Sequence, residues 1–174
     1  MREGQFQVYT GDGKGKTTAA LGLALRAAGA GCRVYIGQFM KRGDFSEVRS
    51  LRQLSNVTLE QFGSDRGLLL NRGADRSDID CAVSGHARLL SAMTSGEYDL
   101  VIADEINCAC SFGLLKESDL IELIDRRPED VELVFTGRNA PEAVIERADL
   151  VTEMRMVRHY FASKGLQARI GIEK

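Results

Sequence analysis

Proline and histidine are scarce in this 174-residue sequence, at two residues each, and no charge block, repeat or low-complexity tract occurs. The absence of proline-rich or polar runs excludes a linker and wholesale disorder and leaves the length of one ordinary domain, spanning 1–174. Two histidines are too few to complete a structural zinc site around Cys108 and Cys110, which normally needs four N or S ligands. Four cysteines (Cys32, Cys81, Cys108, Cys110) make no disulfide framework in a chain this long and read as buried thiols of a reducing cytoplasm. Charge of one sign is not in excess: the net charge is −2, which excludes the broad basic field of a non-specific nucleic-acid binder. Long apolar runs are missing too. Ala19 to Ala30 is broken by Arg26 and is too short for a bilayer. Met1 to Gly4 leads straight into strand-like sequence with no apolar signal region, so a cytoplasmic protein without membrane attachment is expected.

What is present is globular. Hydrophobic residues make up 44% and charged residues 28%, enough for a sizeable core. Glycine, at 18 residues, is the one excess. Strand-like and helix-period runs alternate, which predicts an α/β three-layer fold: a mostly parallel central sheet with helices on both faces. Strands are expected at Gln5–Thr10, Arg33–Phe39, Val57–Phe62, Asp99–Ala103, Val131–Thr136, Leu150–Met154 and Ala168–Ile172, the last two towards the edge. Helices are expected at Thr17–Ala28, Ser46–Leu54, Asp75–Ser95, Glu117–Arg127 and Pro141–Ala148. In the long helix, Ile79, Val83, Leu90 and Met93 define the predicted buried face.

The first strand runs into Gly11-Asp12-Gly13-Lys14-Gly15-Lys16-Thr17-Thr18, and a helix follows at once. Strand, glycine-rich loop and helix are the context a phosphate-binding loop requires, so the expected three-layer α/β fold is phosphate-loop (P-loop) NTPase-like. Glycines let backbone N–H groups converge on phosphate oxygens, and the helix start adds partial positive charge. Lys16, expected to be partly exposed, can reach a terminal phosphate, and the Thr17 hydroxyl can ligate Mg2+. Thr10 stands where the usual pattern has glycine, which predicts a tighter start to the loop.

Leu100 to Ala103 is an apolar run ending in Asp104-Glu105. Ligands of open α/β sheets bind beyond the C-terminal strand ends, so both carboxylates are expected near the loop and its Mg2+. Glu105 is either the residue that activates water in an ATPase or an assistant to the metal. Arg138, after the fifth expected strand, and Lys41, Arg42 and Glu47, after the second, are placed to meet phosphate or ribose. His159 reads as structural.

The phosphate loop, Gln38-Phe39-Met40-Lys41, Asp104-Glu105-Ile106-Asn107, Phe135-Thr136-Gly137-Arg138, Ala148 to Met154, His159 and Ala168 to Glu173 together resemble the ATP:corrinoid adenosyltransferases of the phosphate-loop class, in family order and over almost the whole chain. The resemblance implies a particular reaction: Co(I) of a reduced corrinoid attacks the 5′ carbon of ATP and triphosphate leaves, in cobalamin biosynthesis or salvage. It further implies ATP and Mg2+ at Lys16, Thr17, Asp104 and Glu105, a polyphosphate lying reversed in the loop, a reductant for cobalt and a homodimer. The segment Arg66-Gly67-Leu68-Leu69-Leu70 matches a family stretch that carries aromatics facing the corrinoid; Leu68 and Leu69 are the expected counterparts. The residues alone also accommodate a Mg-dependent ATPase or kinase. A regulatory nucleotide-binding module fits less well with an intact Lys-Thr pair and Asp-Glu.

Overall fold

The computed structural model describes residues 3–65 and 73–173. Leu68, Leu69 and Leu70 therefore lie outside the described residues. The elements run β1 (Phe6–Thr10), α1 (Lys16–Gly29), β2 (Val34–Phe39), α2 (Ser46–Leu51), β3 (Val57–Phe62), α3 (Arg76–Thr94), β4 (Leu100–Asp104), α4 (Ile106–Ser111), α5 (Glu117–Asp125), β5 (Glu132–Thr136), α6 (Glu142–Glu146), β6 (Leu150–Glu153) and α7 (Tyr160–Lys164).

All six strands are parallel, in the order β3-β2-β4-β5-β1-β6. Parallel central strands are buried on both faces, and their sequences show it. In β4, Val101 and Ala103 point into one core while Leu100 and Ile102 point into the other. The first core takes Ala82, Leu89 and Met93 of α3, Ile106 of α4, Leu120 and Leu123 of α5 and Val144 of α6. The second takes Ala20, Ala24 and Ala27 of α1 and Leu51 of α2. Each large apolar side chain so buried contributes about 1.5–3 kcal/mol. The alanine stripe lets α1 lie close on the sheet and sets the phosphate loop directly above β1.

Several boundaries differ from expectation for identifiable reasons. The helix expected to reach Leu54 ends at Leu51, and Leu54 turns back to bond Leu51 O. In α3 the buried face is Ala82, Gly85, Leu89 and Met93, whereas Val83 is exposed. Gly85 decides this: a Cβ there would lie 2.5 Å from the Phe62 ring, so the helix packs through its small residues. Asp75 caps α3, accepting from Asp78 N at 3.2 Å. Ala168–Ile172 is not a strand. It closes as a turn, with Glu173 N bonding Arg169 O at 2.9 Å and the Arg169 guanidinium on the Glu173 carboxylate at 3.0 Å. The four cysteines form no disulfide and are half-buried rather than buried. No helix of the described residues is long and apolar enough to cross a membrane.

Candidate functional site

A parallel sheet brings the C-terminal ends of its strands to one edge, and here they frame a cavity of about 970 Å³. Gly11 (φ +91°) and Gly15 (φ +122°) take the positive φ angles of the phosphate loop. Thr10 stays within β1, paired with Glu153 of β6, so the turn begins one residue later, at Gly11. Lys16 opens α1 and is buried, not partly exposed. Its Nζ donates to Gly11 O at 2.6 Å and Gly13 O at 2.8 Å, which locks the loop around the ammonium. Burial lowers the Lys16 pKa, and Glu105 opposes that shift. Among the described residues two of its three N–H bonds are directed to these carbonyls, which leaves one for an anion.

Asp104, fully buried at the end of β4, is the hub. Its Oδ1 accepts from Thr17 Oγ1 and Thr136 Oγ1, both at 2.8 Å. Its Oδ2 accepts from Lys41 Nζ at 2.8 Å and from Gln38 Nε2 at 3.1 Å. Burial alone would raise this carboxyl; the Lys41 charge and the Lys41, Thr136 and Thr17 hydrogen bonds outweigh it and hold the pKa below the ordinary value. Lys41 Nζ also donates to Thr17 Oγ1 at 3.3 Å. One charge pair thus ties the phosphate-loop threonine to the acidic strand end.

Glu105 follows in the left-handed conformation (φ 62°, ψ 19°), unusual for a residue with a side chain. Its N–H donates to Thr136 Oγ1 at 2.9 Å, and its side chain lines the cavity. Arg138 sits exposed across the mouth, 4.0 Å from Asp12. Its N–H donates to Cys108 Sγ at 3.2 Å. Burial, reinforced by Glu105, pushes the Cys108 thiol up to about 12, so it stays protonated near neutral pH. Asp12, Gly13, Lys14, Gly15, Lys16, Thr17, Thr18, Lys41, Glu105 and Arg138 all line the one cavity, and Asp104 lies beneath it. Arg42 turns away to pair with Asp65 at 2.6 Å.

The donor set suits Mg2+. Thr17 and the cavity-lining Glu105 carry hard oxygen donors, which that ion prefers, while Asp104, whose oxygens are taken by four protein donors, stands behind Thr17. No group of three His, Cys, Asp or Glu side chains gathers among the described residues.

Sequence reasoning assigned no role to Gln38 or Thr136, although both stood in its motifs. Gln38 is the register partner of Asp104. Its Oε1 accepts from Gln61 Nε2 at 3.0 Å, and Gln61 Oε1 accepts from Gly43 N at 3.1 Å. This chain pins the loop that carries Lys41. A buried polar residue at the C-terminal end of an apolar strand was the available signal. Four residues of the C-terminal stretch, His159, Gly171, Ile172 and Glu173, also line the cavity. His159 caps α7 through Nδ1, which accepts from Phe161 N at 3.0 Å.

The chain has relatives among known proteins. A family model described as ATP:corrinoid adenosyltransferase BtuR/CobO/CobP matches residues 2–173. The corrinoid adenosyltransferase of Escherichia coli (strain K12) is 33% identical over 168 residues, covering 95% of this chain and 83% of that protein. That of Pseudomonas aeruginosa is 31% identical over 170 residues, covering 98% and 83%. The corrinoid adenosyltransferase CobA of Salmonella typhimurium is 33% identical over 167 residues, covering 95% and 83%. With a match along its whole length and the loop, hub and sheet edge in place, the chain belongs to the ATP:corrinoid adenosyltransferase family of transferases.

Proposed function

We propose that this protein transfers the 5′-deoxyadenosyl group of ATP to a corrinoid whose cobalt is Co(I), releasing triphosphate, in cobalamin biosynthesis or salvage. The observation that carries the reading is the convergence of Lys16, Thr17, Lys41 and buried Asp104 on one cavity in a member of this family. A cavity of about 970 Å³ is at the upper end for small-molecule sites, roughly 300–1,000 Å³, which favours two substrates over a nucleotide alone.

The chemistry asks little proton transfer of the protein. The cobalt electron pair forms the Co–C5′ bond, the C5′–O bond breaks, and its electrons leave on the triphosphate. Cobalt ends as Co(III). The nucleophile carries no proton, so no general base is required. What the chain must supply is alignment and stabilisation of the departing charge. Loop amides from Gly15 to Thr18, the Lys16 ammonium and Arg138 are the donors for that charge. Mg2+ bound there would neutralise part of the triphosphate, with Thr17 as a ligand and Asp104 and Glu105 behind it. Asp104, saturated by four protein donors, orients Thr17. In this reading Glu105 serves the metal site rather than activating water. The reaction calls for a reductant that delivers electrons to cobalt and for a water-poor site, and a homodimer in the cytoplasm fits the family.

Incubating the protein with ATP, Mg2+ and chemically reduced corrinoid, then identifying products, tests this. Adenosylated corrinoid and triphosphate in equal amounts are expected. ADP and phosphate formed at the same rate without corrinoid would favour an ATPase instead.

A further inference from the structure

The first half of the phosphate loop is fastened to the C-terminal stretch of the chain. Gly13 N donates to Met154 O at 2.6 Å, and a Cβ on Gly13 would sit 2.6 Å from that oxygen, so only glycine permits the approach. Lys14 goes further. Its Nζ donates to Tyr160 Oη at 3.2 Å, Ile172 O at 3.2 Å and Glu173 Oε1 at 3.0 Å, which accounts for all three ammonium hydrogens. Glu173 also accepts from the Tyr160 hydroxyl, from Arg169 N at 2.8 Å and from the Arg169 guanidinium at 3.0 Å. The Arg169 guanidinium lies 5.1 Å from the centre of the Tyr160 ring.

This knot stands in for a hydrophobic anchor. Every residue from Phe161 to Ile172 is exposed, so the stretch buries no core of its own. Yet Gly171, Ile172 and Glu173 form part of the cavity wall. Among the described residues, the Lys14 hydrogen bonds and its approach to the Tyr160 ring tie that wall to the phosphate loop. A lysine whose three hydrogens are spent on the wall has none to offer a phosphate.

We propose that Lys14 and Glu173 are positioning residues: their ion pair fastens the C-terminal stretch as a wall of the nucleotide cavity, and Lys14 serves that wall rather than the polyphosphate. The inference rests on reading the cavity as the nucleotide site. It separates the loop into two parts. Gly13 and Lys14 hold the wall, while Gly15 to Thr18, at the start of α1, face the phosphates.

The test compares wild type, Lys14→Met, Glu173→Gln and the double variant by ATP binding, by steady-state kinetics and by tryptic cleavage at Arg155, Arg158, Lys164 and Arg169. Lys16→Ala serves as the control for the nucleotide site. Each single variant should weaken ATP binding about 3- to 5-fold, the scale of an exposed ion pair, and raise KM for ATP with kcat at saturation retained. Each should speed cleavage of the C-terminal stretch. The double variant should lose less than the sum of the two singles, because both remove the Lys14–Glu173 pair in common. A large loss of ATP binding in Lys14→Met with Glu173→Gln unchanged would overturn the proposal and make Lys14 a phosphate ligand. Additive losses would overturn it as well. ATP binding untouched by Lys16→Ala would instead overturn the nucleotide reading, and the cleavage pattern alone would then decide the fastening.

Discussion

Lys41 Nζ lies 2.8 Å from Asp104 Oδ2, with the carboxylate fully buried and the lysine side chain 19% exposed. Burial would lower the Lys41 pKa, but the Asp104 charge and hydrogen bond outweigh it and raise it. Each group thus holds the other ionised. Removing one partner of a buried pair typically costs about 3–5 kcal/mol, because the remaining charge is left uncompensated.

The pH dependence follows from these directions. The depressed Asp104 contributes stability that is present above the ordinary value of 3.8 and is lost as pH falls through its folded value. The raised Lys41 contributes stability that is complete below 10.5 and is lost as pH rises through its folded value. Wild type should therefore weaken at both extremes. Lys41→Met should lose about 3 kcal/mol at pH 7. Its unpaired Asp104 carboxyl should titrate above the ordinary value, so this variant should gain stability on acidification where wild type does not. Denaturant melts from pH 3 to 8 measure the slope, and Lys41→Met with Asp104→Asn should recover part of the loss. A variant whose stability falls on acidification in parallel with wild type would contradict the pairing.

Lys16→Ala should leave the fold intact and lower turnover by about 10²–10³, the effect of losing one preorganised donor at a developing anion. The loss of its bonds to Gly11 O and Gly13 O is offset in part by the desolvation cost of the buried ammonium, so stability should fall by about 1–2 kcal/mol, short of unfolding. Turnover at the wild-type rate would remove Lys16 from the chemistry.

Asp104→Asn should shift the Mg2+ concentration needed for half-maximal activity upward by about 10-fold. An amide keeps a similar shape but carries no charge to offset a cation. It also leaves Lys41 facing a neutral partner. An unchanged Mg2+ requirement in an otherwise folded variant would place the ion elsewhere.

How far this site was legible in the sequence depends on whether its signal is local. The phosphate loop announces itself because glycine, lysine and threonine must sit at fixed offsets between a strand and a helix. Asp104 was legible because an apolar strand that ends in a carboxylate has few other uses. The Lys41–Asp104 pair was not, since it joins the loop after β2 to the end of β4 across 63 positions and depends on strand order. Ala168–Ile172 alternates in a way that suits a strand, but the Arg169–Glu173 pair closes it as a turn. Helix α4 went unread because Ile106–Ser111 is a six-residue segment with no periodicity to detect. Val83 was misplaced on α3 because hydrophobic spacing cannot see that Gly85 is the point of closest approach.

Glu105 carries the last expectation. A left-handed conformation costs a residue with a Cβ about 1 kcal/mol relative to glycine, and such strain persists where function requires it. Two hydrogen bonds and a helix hold it here: its N–H on Thr136, the Thr136 hydroxyl on Asp104, and α4, which starts at the next residue. Glu105→Gly removes the strain and the carboxylate together. Unfolding should therefore show a gain of about 0.5–1 kcal/mol, while Mg2+-dependent activity falls. Glu105→Gln separates the two effects, since it keeps the strained backbone and loses only the charge. It should match wild type in stability and Glu105→Gly in activity. If Glu105→Gly is destabilised instead, the carboxylate has a structural partner and the strain is not held for the site.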